Sequence, residues 1–267
     1  MAVIFAARRT AVCPRGGAFA RLRIEDLAAP LMQAVLADAG IAAARVDEVI
    51  LANALGAGGN PARRAALLAG LPERVAGLTI DRQCAGGLDA ILLAQAMVDS
   101  GAAEVVLAGG AESYSRRPLR AMPGADGVAV PYDQAPFTPW PDRDPEMGAA
   151  AAALADRLGI SREAQAAWAV ESHAKAMGVA DWPEIVKIDG ISRDAFTRVM
   201  TPALASRAPR VAGSITAATA AVAADAAAFV LVVSDRLAAG QGLLHAAAQG
   251  CAPPAGARER SVPVASG

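Results

Sequence analysis

From residue 2 to residue 110 the chain alternates short apolar runs with stretches of helical periodicity, and few folds accommodate that order. Runs at 2–6 (AVIFA), 46–52 (VDEVILA), 77–80 (GLTI) and 104–108 (EVVLA) read as buried strands. Between them Ile24, Leu27, Leu31 and Val35 share one helical face, and Leu88, Ile91, Leu92, Gln95 and Val98 share another. Asn60 is a good N-cap with Pro61 at the first helical position, and Gly40, Gly70 and Gly101 stand where the three helices should stop. Strands and helices in strict alternation predict an α/β fold with a parallel sheet built by right-handed crossovers.

After residue 115 the character changes. The stretch 116–146 is rich in Pro, Gly and aromatic residues and has no period. Helical pattern returns at 147–158, with Gly159 as its stop; Ser161 then caps a helix that carries Glu163 in its first turn and runs to Gly178. Residues 185–188 read as a short strand, 190–210 as a return loop, 226–234 (AAAFVLVVS) as a strongly apolar strand and 243–248 as another.

Composition excludes several functions. A net charge of −1 with scattered Arg, Asp and Glu gives no basic face for nucleic acid. The longest uncharged apolar region, 211–224, is shorter than a membrane span, and the first apolar run is too short for a secretory signal. Cysteines at 13, 84 and 251 form neither a disulfide framework nor a metal-ligand cluster, so no metal is expected. A reducing, cytoplasmic setting is the expectation.

One stretch combines these local signals with chemistry. In DRQCAGGLDAI, Cys84 falls at a strand-to-helix turn, beside the positive end of a helix dipole and near Arg82. That setting favours the thiolate, the nucleophilic form of cysteine. Gly86 and Gly87 would let a substrate approach closely and leave N–H groups to face an oxyanion. A free cysteine is also a common small core residue, and local pattern alone leaves both roles open.

The motifs around this stretch resemble, in order, those of the thiolases, acyltransferases that make or cleave β-ketoacyl-CoA through a cysteine acyl-enzyme. RTAVCPRGGAF resembles the family's opening loop, GNPARRAALLAGLP the run before the nucleophile strand, and DRQCAGGLDAI the nucleophile motif with Cys84 at the acylated position. GGAESYS is similar to the Gly-Gly-x-Glu-x-Met-Ser signature, MGAAAAALADRLGISREAQAAWAVESHAKA to the loop-domain helices, and ITAATAAVAADAAAFVLVVSD to the family's Thr-Ala-Gly-Asn-Ala-Ser segment with its strand.

The resemblance implies a layered α/β fold, a mixed sheet flanked by helices with an inserted loop domain. It divides the chain into an N-terminal thiolase domain (1–115 and 210–238), a loop domain (116–209) and the start of a C-terminal domain (239–267). It implies Cys84 as the catalytic nucleophile and Met147 as a wall of the acyl and pantetheine pocket. The expected substrate is a coenzyme A thioester, with no tightly bound cofactor, and the expected assembly is a homodimer or a heteromer with another thiolase-like chain. The family's Gly-His-Pro, Asn-Glu-Ala-Phe and Cys-x-Gly-Gly motifs have no match here. His173, in a helix, His245 and Cys251 fall at positions that do not replace them. Gly86 stands for the family's Ser after the nucleophile, Glu146 for the histidine of acetyl-specific members, and Ala218, Thr219, Ala221 and Ala224 for polar or glycine positions along the pantetheine channel. Completion of the reaction is therefore expected from a companion chain or further sequence. The alternative is a catalytically inactive thiolase-fold subunit that binds or stabilises a partner; a hydrolase pairing Cys84 with His173 is a weaker third, for want of an orienting group.

Overall fold

The computed structural model describes residues 1–56 and 58–240. In chain order the elements are β1 (Ala2–Arg9), β2 (Cys13–Pro14), α1 (Ile24–Ala39), β3 (Glu48–Ala52), α2 (Pro61–Leu68), β4 (Ala76–Ile80), α3 (Gly86–Asp99) and β5 (Val105–Ser113). They continue with β6 (Ala121–Pro123), β7 (Ala129–Pro131), α4 (Met147–Arg157), α5 (Arg162–Gly178), α6 (Pro202–Ser206), β8 (Arg210–Ala212), β9 (Ile215–Thr216), β10 (Ala224–Ser234) and α7 (Asp235–Gly240).

The main sheet has the order β1-β10-β5-β3-β4, with β2 paired to β10. Strands β4, β3 and β5 run parallel, as the strand–helix alternation requires. The late strand β10 enters antiparallel to both β1 and β5, which makes the sheet mixed. An apolar strand distant in sequence thus takes the middle of the sheet, where Leu107 faces Leu231 and Val105 faces Val233 in register. Gly109 of β5 lies opposite Phe229; a Cβ there would sit 2.0 Å from the Ala228 carbonyl oxygen, so only glycine lets these two strands close.

Period-two alternation sorts the apolar strand residues onto two faces. Val49, Leu51, Val105, Leu107, Phe229, Leu231 and Val233 pack with Leu27, Leu31 and Val35 of α1 and Ala62, Ala65 and Ala66 of α2. Ile50, Val106, Ala108 and Val232 point the other way, onto Ala90, Ala94 and Val98 of α3. Each large side chain buried in this way contributes about 2 kcal/mol. The helix ends follow the capping residues: Gly40 closes α1 in the left-handed region at φ 62°, and the Asn60 side chain accepts the Arg63 N–H at 3.1 Å to start α2.

Four expectations need correction. The apolar face of α3 is not Leu88 and Leu92, which are 61% and 51% exposed; the small residues Ala90 and Ala94 let the helix sit close on the sheet, and the leucines point outward. Strand β5 does not stop before Gly109 but carries on through the two glycines to Ser113, held by its ladder with β10. Residues 185–188 form no strand, only single bridges of Ile185 to Arg9 and Ile188 to Ile191. The return loop 190–210 holds a short helix, α6, whose cap is the Thr201 hydroxyl accepting the Leu204 N–H.

Outside the main sheet the segment between β5 and β10 has little core of its own. Helix α5 buries no residue fully, α4 buries only Ala152 and Ala155, and Trp168 is exposed. Among the described residues no helix is long and apolar enough to cross a membrane. The expected strand at 243–248, with His245 and Cys251, lies outside the described residues.

Candidate active site

Strand β4 ends at Ile80, and the chain turns into α3 through a single turn of 3-10 helix, Gln83–Ala85. Gln83 takes φ 49°, a left-handed conformation that costs a non-glycine residue on the order of 1–2 kcal/mol. The Asp81 carboxylate offsets that cost by accepting the Gln83 N–H at 2.8 Å. The turn is also pressed against the sheet: a Cβ on Gly86 would stand 2.9 Å from the Ala52 methyl at the end of β3. Cys84, at the centre of the turn, is exposed.

No side chain caps the N-terminus of α3. The Gly86 N–H donates to the Gln83 carbonyl, so what the helix start offers a negative oxygen arriving beside Cys84 is the positive end of its dipole. Arg82 does not supply the free positive charge its position suggested, because Asp89 of the first helical turn pairs with it at 2.8 Å.

Cys84 opens into a cavity of about 360 Å3. Gln83 and Gly87 flank it on the turn, Asn53 and Ala54 come from the end of β3, and Glu112 from β5. Arg9, Thr10 and Val12 line another side, with the alanines 226–228 of β10 between. Arg9 is engaged elsewhere, donating to Asp194 at 2.9 Å and Glu184 at 3.2 Å while stacked on Trp182. Glu112 is the half-buried carboxyl of the cavity. It accepts the side-chain amide N–H of Asn53 and the backbone N–H groups of Ala54 (3.2 Å) and Leu55 (3.0 Å). Burial pushes this carboxyl up to about 7, against the pull of the Leu55 and Ala54 donors; Asp81 adds to the rise and Arg120 opposes it.

The other sequence candidates lie apart from Cys84. Cys13 is fully buried in β2, and burial, then Asp225 and Asp194, push its thiol up. Met147 stands 60% exposed in the first turn of α4 and is not among the residues lining the cysteine cavity. His173 lies on α5 against Phe196, with ring centres 5.9 Å apart, and burial and Arg198 hold its pKa down. It lines a different cavity, of about 730 Å3, bounded by α4, α5 and Ala218–Ala221, so it makes no pair with Cys84. Sequence reasoning passed over Glu112 and Asn53. The signal was present: Glu112 is the one charged residue in the run VVLAGGAES, on a strand buried from both faces.

An exposed free cysteine at a strand-to-helix turn, over the end of a mixed sheet covered on both sides, defines a thiol-bearing layered α/β protein. Residues 2–236 match the family described as thiolase, N-terminal domain, and the chain belongs to the thiolase family. It is 38% identical over 255 residues to the Bacillus subtilis (strain 168) protein named "Putative acetyl-CoA C-acetyltransferase YhfS", covering 91% of this chain and 65% of that one. It is 41% identical over 176 residues to the Staphylococcus aureus (strain MRSA252) protein named "Putative acetyl-CoA C-acetyltransferase VraB", covering 64% of this chain and 46% of that one. The crystal structure of the Bacillus anthracis acetyl-CoA acetyltransferase superposes with a TM-score of 0.80 at 31% identity, over 90% of this chain and 67% of that one. The chain thus spans between about half and two thirds of the length of these relatives.

Proposed function

We propose that this chain carries the acyl-accepting half of an acyl-CoA acyltransferase. In the first half-reaction the Cys84 thiolate attacks the thioester carbonyl of an acyl-CoA, the negative oxygen of the intermediate is stabilised by the positive end of the α3 dipole, and the carbon–sulfur bond to coenzyme A breaks. The acyl group stays on Cys84 as a thioester, and coenzyme A leaves as a thiolate that takes up a proton. The single observation that supports this reading best is the exposed Cys84 at the uncapped helix start, at the position where the family motif is acylated.

The second half-reaction, thiolysis or Claisen condensation with a second coenzyme A species, needs an acid–base pair. Among the described residues no histidine lines the cysteine cavity, so that step is assigned to groups outside them, or to a companion thiolase-like chain in a dimer. No metal or tightly bound cofactor enters the scheme, and a reducing cytoplasm keeps Cys84 as a thiol.

The test is intact-protein mass spectrometry before and after incubation with acetyl-CoA and longer acyl-CoAs. A mass increase equal to the acyl group, absent in Cys84→Ala and reversed by hydroxylamine, is the expected result. An unmodified wild-type protein across the acyl-CoA series would refute it.

A further inference from the structure

We infer that the cavity between the starts of α1 and α2 and the turn after β5 is a phosphate site, built by Arg23, Arg64 and Arg116. It shares no lining residue with the cysteine cavity, so the inference does not rest on the role of Cys84.

Three elements bring the cations together. Arg23 immediately precedes α1, Arg64 lies in the first turn of α2, and Arg116 and Arg117 follow β5. These side chains line a cavity of about 110 Å3, and Glu25 is the one carboxylate beside them in its wall. Ser113 fixes the turn. Its hydroxyl donates to the Leu22 carbonyl at 2.7 Å and accepts the Arg116 N–H at 3.2 Å, which ties residues 113–116 to the chain entering α1.

The charges in this wall do not balance. The Glu25 side chain is 7% exposed, accepts from Arg64 and lies 3.4 Å from Arg23 Nε. Arg117 is committed elsewhere, pairing with the Asp133 carboxylate and stacking on Tyr114 at 4.7 Å from the ring centre. The ion pairs of Arg23, to Glu25 and Asp26, run through Nε and leave its two terminal nitrogens unused. Arg64 spends one nitrogen on Glu25. Among the described residues the Arg116 side chain makes neither an ion pair nor a hydrogen bond; only its backbone N–H is engaged. Four guanidiniums thus share one carboxylate, and three of them keep donors to spare. Like charges around a small cavity are screened less than in bulk water, and an anion seated among them turns that repulsion into attraction.

Size and donor geometry name the anion. One water takes about 30 Å3 of the liquid, so the cavity holds about four, the room one tetrahedral oxyanion needs. A guanidinium fork matches two oxygens of a carboxylate or phosphate. A carboxylate has only two oxygens in one plane, whereas forks arriving from three elements suit the several oxygens of a phosphate group. That group arrives as inorganic phosphate or as a phosphate ester of coenzyme A.

The experiment is calorimetric titration with inorganic phosphate at neutral pH and constant ionic strength set with chloride. Wild type is expected to bind saturably with a Kd of about 1 mM or below. Arg116→Gln should weaken binding about tenfold, the size of one charge-assisted hydrogen bond, and Arg116→Lys, which keeps the charge without the fork, should weaken it less. Because Arg116 has no side-chain partner to lose among the described residues, both variants should melt as wild type does by circular dichroism. Arg207→Gln removes the same charge just after α6, outside the cavity lining, and should leave the affinity unchanged. No saturable binding up to about 20 mM phosphate would overturn the inference. Equal weakening by Arg116→Gln and Arg207→Gln would also overturn it, since overall charge would then account for the effect. Repeating the titration with saturating coenzyme A identifies the source: displaced phosphate marks the ester of coenzyme A, unchanged affinity marks the free anion, and both results uphold the site.

Discussion

Replacing Gly86 by alanine tests how tightly the cysteine turn is held to the sheet. Gly86 opens α3 with φ −55° and ψ −40°, an ordinary helical conformation, so alanine meets no backbone strain. On helix propensity alone Gly86→Ala should stabilise the protein by up to about 1 kcal/mol. The new methyl, however, would stand 2.9 Å from the Ala52 methyl, closer than carbon atoms tolerate, and Ala52 is nearly buried at the end of β3. Overpacking of that kind costs about 1–3 kcal/mol. The sum predicts a variant destabilised by about 1 kcal/mol, in place of the gain expected at an open helix start.

The cycle with Ala52→Gly isolates the contact. Removing the Ala52 methyl should relieve the clash, so the double mutant should be more stable than the two single effects predict, with a coupling of about 1–2 kcal/mol. Urea unfolding followed by circular dichroism measures all four proteins. A Gly86→Ala variant more stable than wild type, with no coupling to Ala52→Gly, would refute the close approach of α3 to β3 and the support it gives the Cys84 turn.

Three further outcomes are expected. The raised carboxyl of Glu112 binds its proton more tightly folded than unfolded, so its stabilising contribution is full below 4.5 and lost as pH rises through about 7, a span worth on the order of 3 kcal/mol; the stability-against-pH curve of Glu112→Gln should lack that fall, and an unchanged curve would refute it. Asn60→Ala removes the cap of α2 and the Asn60 amide bond to the Gly77 carbonyl (2.6 Å), and should cost about 1–2 kcal/mol in urea unfolding; a loss below a few tenths would contradict the capping role. Leu107→Ala, at the fully buried centre of β5, should cost about 2–5 kcal/mol, whereas Leu92→Gln on the outer face of α3 should change stability by less than about 0.5 kcal/mol; similar losses at both sites would mean the two faces of α3 have been misassigned.

How much of this was legible in the sequence depends on the range of the interactions involved. Asn60, Pro61, Ser161 and Gly40 act on the backbone within a turn of themselves, and the structure starts or ends helices at each of them. The parallel core of β3, β4 and β5 followed from alternation, since parallel neighbours require a crossover between them. The outward face of α3 did not follow, because hydropathy ranks leucine above alanine while close helix-to-sheet packing selects Ala90 and Ala94. The insertion of β10 between β1 and β5 joins residues more than a hundred positions apart, so no window of sequence contains it; the motif resemblance could supply it only as a family property. Cys84 was visible through its turn and its glycines. Glu112 was not, because its meaning lies in two backbone N–H groups nearly sixty residues away and in a cavity that exists only once β3, β5 and the turn before α3 are assembled. Local chemistry thus singled out Cys84 as a candidate, while the carboxyl that lines the same cavity arises from tertiary structure alone.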